Sequence, residues 1–395
     1  MRYPIVKLNK KGVKNYLENR LWFSFQEISQ FEKIKNQIKP GSIVNILSED
    51  NFFLGCGYFN PKSYYSLKLL TKKNVFIDKN FFLKRFSEAL KLRRSIYPHE
   101  SCFRLIFSEG DFLPGLIIDI YEKIAVVQIH TSGMENLKNF IIDALKNLLN
   151  PQAIVLKNDF SKRKEEELEL YTEIAYGKTE EVILVEMDEI KFLVPLLKGQ
   201  KTGFFLDQRE NRRFLKNLVK DCIILDGFSY TGAFSFYALK GGAKKAFLVD
   251  RSDFALNLAE EIAKINGWKD KIITIQGDVS KILKNPPETD IIILDPPAFI
   301  KSSKDIKAGE KKYENLYFSG VKALKRGFYF AFSCSYFLKI EKMKNILKNS
   351  LKKLNKEGII IFNGFQAPDH PVNPFVEETS YLKGLGIYIN DLQSL

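Results

Sequence analysis

Cys334 stands between two serines, directly after the apolar run FYFAFS, and its thiol is the group whose chemistry we consider first. A thiolate at the end of a strand can attack an electrophile while the strand holds it in place. Free cysteine is, however, more often a small buried apolar residue. We adopt that structural interpretation for Cys56, Cys102 and Cys222. Because Cys334 follows a strand, we interpret it as a candidate nucleophile.

Asp295 is a second candidate, since it opens the sequence DPPAF directly after the apolar run IIIL. The two prolines restrict the backbone there, so the acid would project from the edge of a sheet. A rigid turn with a solvated acid is the alternative interpretation. If the strands that precede Asp295 and Cys334 are neighbours, the two residues could perform proton transfer and covalent attack on one substrate.

Three further acids follow successive apolar runs: Asp226 after CIIL, Asp250 after AFLV, and Asp278 after IITIQG. Asp226 opens a turn that lacks the GxGxxG spacing of a dinucleotide site, so it could face an ammonium or a sulfonium. Asp250, 24 residues later, could accept both ribose hydroxyls, and Asp278 could contact an adenine edge. One such acid alone could simply cap a helix. Together the three predict a pocket for adenosine with an amino-acid tail.

The sequence GQKTGFFLDQRENRRF surrounds an aromatic pair with polar and basic groups. One interpretation is an ordinary helix start, with Asp207 as its cap and with Arg212 and Arg213 in solvent. So many polar groups are unusual in a loop, and we therefore favour a role for Asp207, Gln208 and Arg209 in holding a cofactor or a substrate.

The elements that must position these residues differ along the chain. Residues 1–75 are short alternating segments with turn signals, which predict a small β-barrel. Residues 76–190 mix helix and strand patterns, predict a small α/β domain ending in a hairpin, and include the charged run SKRKEEELEL, which we expect to be exposed. Residues 191–395 alternate short apolar runs with helix-length segments, which is typical of βαβ units around a parallel sheet. Ligands bind beyond the carboxyl ends of such strands, where the candidate residues stand.

The composition of the chain narrows the classes of function. Its 395 residues are 45% hydrophobic and 27% charged, as in globular proteins of two or three domains. The apolar runs are too short to span a bilayer, and the start of the chain lacks a signal-peptide core, so we expect a cytoplasmic location. A net charge of +14 favours an RNA or DNA partner, although lysine-rich surfaces also serve solubility. Four cysteines without a CxxC pair and three histidines disfavour a metal site.

Several longer motifs carry a resemblance to a known family. They are KTGFFLDQR, FSYTGAFS, DPPAF and SCS in this order, with SEGDFLPGLIIDIY before them and APDHP and YLKGL after them. With these motifs the chain resembles the bacterial class I S-adenosylmethionine-dependent methyltransferases that form 5-methylcytosine in 23S rRNA, the RlmI-like family. The resemblance implies an α/β fold class: an RNA-binding PUA β-barrel, a central α/β domain and a C-terminal Rossmann-like methyltransferase domain.

The resemblance also implies roles for individual residues. Cys334 would be the nucleophile and Asp295 the acid over the cytosine. The cofactor would be S-adenosylmethionine and the partner 23S rRNA, without a metal or a membrane, and a homodimer is compatible with the sequence. The residues expected to bind the cofactor are Asp207, Gln208, Arg209, Asp226, Phe228, Tyr230, Gly232, Asp250, Arg251, Asp278, Asp295 and Pro296. The residues expected to bind the substrate are Lys201, Pro297 and Phe299.

The DPPAF motif contains no second cysteine, unlike the motif of many other cytosine-5 RNA methyltransferases, although its absence is usual in the family that the chain resembles. Some other base must therefore remove the proton from carbon 5 of the cytosine. The sequence does not identify that base.

Other functions stay open at this point. Related enzymes of the same fold methylate guanine N7 or adenine N6 without a thiol. The former carry asparagines in place of the SCS motif, and the latter carry an NPPY-like or DPPY-like motif where this chain has Ala298. A non-catalytic RNA-binding or ribosome-assembly protein is disfavoured by the complete set of acids and by Cys334. An NAD-dependent oxidoreductase is disfavoured by the missing GxGxxG.

Overall fold

The computed structural model describes residues 3–391 and divides them into two compact units. Unit 1 contains residues 3–185, 194–206 and 368–379, and unit 2 contains residues 186–193, 207–367 and 380–391. No helix within residues 3–391 is both long enough and apolar enough to cross a membrane.

Unit 1 begins with a five-stranded sheet. Its strands are β1 (Ile5–Leu8), β2 (Trp22–Phe23), β3 (Ser42–Ser48), β4 (Phe53–Phe59) and β5 (Leu67–Thr71), with the helices α1 (Lys10–Leu17) and α2 (Phe31–Ile34). The strand order is β1-β3-β4-β5-β2. A Cβ at Gly57 of β4 would lie 2.1 Å from the carbonyl oxygen of Lys68, so close strand packing requires glycine there. Cys56 beside it is fully buried, as expected for a structural cysteine.

A second five-stranded sheet follows in unit 1. Its strands are β6 (Cys102–Phe107), β7 (Leu116–Tyr121), β8 (Ile124–Ile129), β9 (Ala153–Asn158) and β10 (Tyr171–Gly177), with the helices α3 (Lys79–Ile96), α4 (Ser132–Asn136) and α5 (Lys138–Leu149). The strand order is β10-β9-β8-β7-β6. Phe82 and Phe86 of α3 and Ile141 and Leu145 of α5 share one buried hydrophobic core with strand residues such as Ile118. The apolar spacing of these helices directs one face of each into that core.

The charged run SKRKEEELEL in this unit is not fully exposed, contrary to our expectation. Arg163 and Glu166 within it are buried. The guanidinium of Arg163 donates to the backbone oxygens of Ile129 (2.5 Å) and Glu169 (2.9 Å), and Glu166 forms an ion pair with Lys68 at 3.2 Å. These charges can be buried because each has partners, which residue type alone does not reveal.

A hairpin of β11 (Val182–Met187) and β12 (Ile190–Pro195) follows, where the sequence predicts one. The first sheet lies within residues 1–75 and the second within residues 76–190. The division into three domains at these boundaries stays a prediction.

Unit 2 contains a seven-stranded sheet. Its strands are β13 (Ile223–Gly227), β14 (Lys245–Asp250), β15 (Ile272–Gln276), β16 (Ile291–Leu294), β17 (Gly327–Ser333), β18 (Lys356–Phe365) and β19 (Lys383–Asp391). Its helices are α6 (Arg209–Lys216), α7 (Ala233–Lys240), α8 (Asp253–Ile265), α9 (Val279–Ile282), α10 (Ile306–Ala323) and α11 (Ile340–Lys353). The strand order is β15-β14-β13-β16-β17-β19-β18; the first five are mutually parallel, and β19 is antiparallel to both of its neighbours. The α/β class predicted from the sequence is confirmed.

The carboxyl ends of the parallel strands lie level with one another. Gly227 of β13 is opposite Val249 of β14 and Leu294 of β16, and Leu294 is opposite Ala331 of β17. The strand order reverses at β13, between β14 and β16, and such a reversal opens a crevice for a ligand at this edge. The residues that follow these strands therefore meet in one place.

The buried ion pair in unit 1 yields a stability test. We expect Glu166→Gln to lower the free energy of unfolding by about 2–4 kcal/mol, because it leaves the ammonium of Lys68 without its carboxylate. The exposed Glu165→Gln is the matched control, with an expected change below about 0.5 kcal/mol. Urea-induced unfolding at pH 7 measures both, and equal stability of the two variants would contradict the role of the pair.

The same ion pair has a definite dependence on pH. Burial opposes ionisation of Glu166, but Lys68 and the hydrogen bonds of Asn60 and Ser132 outweigh it and lower the pKa of Glu166. A carboxyl group whose pKa is lower in the folded state stabilises the fold at pH values above its unfolded pKa. This stabilisation is lost as the pH falls through the folded pKa. The difference in the free energy of unfolding between wild type and Glu166→Gln should therefore be greatest at pH 7 and decrease only at acidic pH.

Candidate active site

The turn after β13 holds a buried carboxylate that the protein satisfies only in part. Asp226 is 1% exposed, and its Oδ2 accepts hydrogen bonds from the backbone N (3.2 Å) and the Oγ (2.8 Å) of Ser235. Its Oδ1 and the hydroxyls of Ser229 and Thr231 are buried without a hydrogen-bond partner among residues 3–391. Buried polar atoms normally have partners, so these groups point to a polar ligand.

The negative charge of Asp226 is unfavourable in this turn. Burial, assisted by the charges of Asp295 and Asp250, raises the pKa of Asp226 to about 7 against the hydrogen bonds of Ser235. A ligand that brings a positive charge would favour the ionised form. The ammonium or sulfonium that the sequence predicts for this position would do so.

Left-handed backbone shapes the turn that contains Asp226. Phe228, Tyr230 and Gly232 have φ angles of 64°, 50° and 80°. Only glycine adopts such angles without strain, and strained residues of this kind are typical of functional sites. A Cβ at Gly232 would also lie 2.5 Å from the side chain of Leu248. The conformation directs the backbone N of Tyr230 to Oδ2 of Asp250 at 2.9 Å, which joins this turn to the end of β14.

Asp250 and Asp278 stand at the same edge with different partners. The other oxygen of Asp250 accepts from the backbone N of Ser252 at 2.9 Å. Asp278 caps α9, since its Oδ1 accepts from the backbone N of Ser280 at 2.8 Å, and its Oδ2 pairs with Arg251. The hydrogen bond of Arg251 lowers the pKa of Asp278. The capping role that we considered for a strand-end acid therefore holds for Asp278, whereas a serine caps α8 after Asp250.

The structure brings the DQR and DPPAF motifs together. Nε2 of Gln208 donates to Oδ2 of Asp295 at 2.9 Å. Asn211 donates to Oε1 of Gln208 at 2.5 Å and to the backbone oxygen of Phe365 at 3.1 Å. The amide of Gln208 is thereby oriented, and Gln208 in turn fixes the carboxyl group of Asp295.

The neighbours of Gln208 in the motif are buried too. Oδ2 of Asp207 accepts from the hydroxyl of Tyr381 at 2.5 Å, so this acid anchors the segment that leads into β19. Arg209 is 1% exposed, at the first turn of α6. Arg212 is equally buried, 5.4 Å from the ring centroid of Tyr237, so the alternative that placed it in solvent is wrong.

The SCS motif places Cys334 beside the DPPAF loop. Cys334 is half-buried, and its Sγ lies 4.0 Å from the backbone oxygen of Pro296. The two flanking serines are buried: Oγ of Ser333 donates to the hydroxyl of Tyr313 at 3.0 Å, and Oγ of Ser335 lies 2.9 Å from the same hydroxyl. The serines therefore fix the loop, and the thiol between them is held beside the backbone of the DPPAF loop.

Tyr313 is a site residue that sequence reasoning missed. Its hydroxyl also accepts from the backbone N of Phe299 at 3.4 Å, and its ring lies 4.7 Å from that of Phe299. It thus connects the SCS loop with the DPPAF loop from within α10. The only signal in the sequence is the helical spacing of Tyr313, Leu316 and Tyr317, which is equally typical of an ordinary core face.

The three predicted substrate-binding residues lie in two units. Pro297 and Phe299 belong to the DPPAF loop in unit 2, where Pro297 is exposed and Phe299 half-buried. Lys201 belongs to unit 1, with its ammonium 4.3 Å from the ring centroid of Phe205. Within residues 3–391 we find no group of three or more His, Cys, Asp or Glu side chains arranged to hold a metal ion.

The fold and the site define a class I S-adenosylmethionine-dependent methyltransferase. A family model described as S-adenosylmethionine-dependent methyltransferase matches residues 166–316, and one for PUA-like domains matches residues 6–72. The cofactor of this class is S-adenosylmethionine. Its adenosine and cationic amino-acid end suit the unsatisfied oxygens and the uncompensated carboxylate of the turn after β13.

Two relatives identify the family. A ribosomal RNA large subunit methyltransferase I of Alteromonas mediterranea is 35% identical over 372 residues, which cover 92% of this chain and 94% of that protein. The protein of the same name from Tolumonas auensis is 34% identical over 391 residues, with 96% and 98% covered. This chain belongs to the ribosomal RNA large subunit methyltransferase I family.

Solved structures agree with the fold. A Streptococcus mutans structure described as a candidate SAM-dependent methyltransferase matches with a TM-score of 0.81 at 23% identity, over 98% of this chain and all of that one. A second structure, described as a candidate methyltransferase complexed with SAH, matches with a TM-score of 0.82 at 22% identity and the same coverage. At these identities the likeness concerns the fold alone.

The raised pKa of Asp226 predicts a pH dependence of cofactor binding. Below its pKa of about 7 the residue is neutral, so the affinity for S-adenosylmethionine should rise by up to about tenfold per unit between pH 5.5 and 7. Asp226→Asn should bind more weakly and lose this dependence. Isothermal titration calorimetry measures both, with the exposed Asp253→Asn as control. An Asp226→Asn protein with the wild-type pH slope would contradict the assignment.

The hydroxyl of Tyr313 can be tested by its removal. We expect Tyr313→Phe to lower the free energy of unfolding by about 1–2 kcal/mol, because it leaves two buried serines without their shared partner. It should also reduce methyl transfer by about tenfold or more, since a small displacement of reacting groups is costly. Tyr388→Phe, at the opposite end of the β17–β19 pair, is the control. Equal activity of both variants would show that Tyr313 is not needed to position the site.

Proposed function

We propose that this protein transfers the methyl group of S-adenosylmethionine to carbon 5 of a cytosine in 23S rRNA, with Cys334 as the nucleophile. The name of its relatives supports rRNA of the large subunit as the substrate. The observation that carries the chemistry is the thiol of Cys334 beside the DPPAF loop, 4.0 Å from the backbone oxygen of Pro296. A ring nitrogen could attack a methyl group with its own lone pair, so methylation of a purine nitrogen would leave this thiol without a role.

The thiol would activate carbon 5 of the cytosine. Carbon 5 of cytosine is a poor nucleophile until carbon 6 has been attacked. Addition of the Cys334 thiolate to carbon 6 forms a carbon–sulfur bond and moves an electron pair of the ring towards carbon 5. Asp295 would donate a proton or a strong hydrogen bond to N3 and so stabilise the charge that develops. Gln208, 2.9 Å from Oδ2 of Asp295, keeps that carboxyl group in one orientation.

Bound S-adenosylmethionine would supply the electrophilic methyl group. We assign Asp226 to its cationic end, Asp250 to the ribose and Asp278 to the adenine edge. A base other than a second cysteine would then take the carbon 5 proton, N3 would return its proton to Asp295, and expulsion of the thiolate would restore the aromatic ring and Cys334. The remaining members of the predicted cofactor set, which stay proposals, are Asp207, Gln208, Arg209, Phe228, Tyr230, Gly232, Arg251, Asp295 and Pro296.

The target base must leave its stack to reach the thiol. Single-stranded or protein-free rRNA is therefore the favoured substrate. The half-buried ring of Phe299 and the exposed Pro297 offer apolar surface to a displaced base, and Lys201 offers a charge to the RNA backbone. The net charge of +14 and the PUA-like match support a grip on RNA. A homodimer stays a prediction, which light scattering of the purified protein would check.

Product analysis tests the proposal directly. We expect the protein, incubated with labelled S-adenosylmethionine and unmodified 23S rRNA, to form 5-methylcytidine. Cys334→Ala should lose at least about a thousandfold in activity, because carbon 5 is then not activated. Cys222→Ala, which removes another half-buried thiol, is the matched control and should retain activity. Digestion of the rRNA and mass spectrometry of its nucleosides identify the product.

Two outcomes would contradict this proposal. Methylation of a purine would change the target atom while leaving the fold and the cofactor intact. An active Cys334→Ala protein would make the thiol structural. RNA carrying 5-fluorocytidine adds a check, since fluorine cannot leave as a cation and the adduct with Cys334 should persist on denaturing gels.

A further inference from the structure

Lys383 lies next to the SCS motif and takes no part in the steps proposed for methyl transfer. It is the first residue of β19 and stands opposite Ser333 of β17 and Phe365 of β18. Its ammonium nitrogen donates to the backbone oxygen of Ser335 at 2.8 Å. The amine is therefore hydrogen-bonded to the residue that directly follows Cys334, at the edge of the sheet where the thiol lies.

The surroundings of Lys383 weaken its hold on a proton. Partial burial, assisted by the charge of Lys339, lowers the pKa of Lys383 to about 8. Lys339 itself lies over the ring of Tyr336 at 4.2 Å. A charge on Cys334 acts in the opposite direction and raises the pKa of Lys383, so the thiol and the amine lie within electrostatic reach of each other. Each of them changes the proton affinity of the other.

We propose that Lys383 activates Cys334: its neutral amine takes the thiol proton, and the resulting ammonium holds the thiolate ready for attack. This inference rests on the proposed function only in naming the reaction that the thiolate serves. Lys383 acts through Cys334 and is thus a positioning residue for the nucleophile. The sequence showed it only as part of YLKGL, with no chemical signal of its own.

The proton transfer from Cys334 to Lys383 requires little free energy. The S–H bond of Cys334 breaks, its proton forms a new N–H bond on Lys383, and the sulfur keeps the electron pair that attacks carbon 6. An ordinary thiol pKa of about 8.5 is close to that of Lys383, so neither direction is strongly favoured before the substrate arrives. When the carbon–sulfur bond breaks at the end of the cycle, the same ammonium receives the expelled thiolate.

Neighbouring contacts hold Lys383 where this transfer requires it. Two residues earlier, the hydroxyl of Tyr381 donates to Asp207 at 2.5 Å, and the backbone N of Tyr381 donates to Oε1 of Gln366 at 3.1 Å. The bond to the backbone of Ser335 then directs the end of the side chain. Asp207, which we predicted to contact the cofactor, thus supports the strand that carries Lys383.

Alkylation of Cys334 measures this pair without RNA or cofactor. The full-length protein is treated with iodoacetamide between pH 5.5 and 9.5, and mass spectrometry follows the peptide that contains Cys334. Because only the thiolate reacts, the midpoint of the rate profile reports the pKa of the thiol. We expect Lys383→Met to raise this midpoint by about one pH unit or more. Lys383→Arg keeps a positive charge and should leave the midpoint at or below the wild-type value.

Matched controls separate this role from a loss of structure. The exposed Lys348→Met, on α11, should leave the midpoint unchanged, and alkylation of Cys222 in the same digest reports whether the fold is intact. If Lys383→Met and Lys383→Arg both keep the wild-type midpoint, or both raise it, the proposal is wrong. A raised midpoint in Lys383→Met, with a midpoint at or below the wild-type value in Lys383→Arg, supports the proposal even if no 5-methylcytidine forms. If that pattern is found but the protein forms no 5-methylcytidine, the result counts only against the proposed function.

Discussion

The level ends of five parallel strands are the constraint on which the rest of the site depends. Residues separated by more than a hundred positions, such as Asp226 and Cys334, share one edge because β13, β16 and β17 are hydrogen-bonded in register. Parallel strands require a crossover each, so every strand end is followed by a new loop at the same edge. The reversal of strand order at β13 then separates these loops enough to admit a ligand.

The loops on the two sides of this sheet edge carry different chemical groups. The loops after β13, β14 and β15 present carboxylates and left-handed backbone, which suit a nucleoside with a cationic end. The loops after β16 and β17 present an acid and a thiol, which suit covalent chemistry on a second ligand. Gln208 connects the two sides, since it directly precedes α6, the helix before the sheet, and orients Asp295. A displacement of one loop would therefore disturb both sides.

Uncompensated charge is the common feature of the most informative groups. Within residues 3–391 the buried Asp226 has no cationic partner, and Lys383 is partly buried close to a second ammonium. Burial and like charge therefore disfavour the ionised form of both. Glu166 shows the opposite effect: burial raises its pKa, but Lys68 and several hydrogen-bond donors outweigh burial and lower it. Partners allow a buried charge to be accommodated in the fold, whereas a buried group without them has a shifted pKa and can respond to a ligand or exchange a proton.

The sequence by itself determined the α/β class, the order of the strands along the chain and the acids at their ends, because buried parallel strands read as continuous apolar runs and each ends in a polar residue. It also singled out Cys334, since a thiol at a strand end stands out against apolar neighbours. Only the tertiary structure decided how these residues are supported. Tyr313 is a member of an ordinary buried helix face, and SKRKEEELEL reads as a solvated run. The hydroxyl of Tyr313 joins two loops, and Arg163 is buried, because of partners far away in the chain. Hydrogen bonds and burial depend on which residues meet in space, and residue type with local spacing does not contain that information.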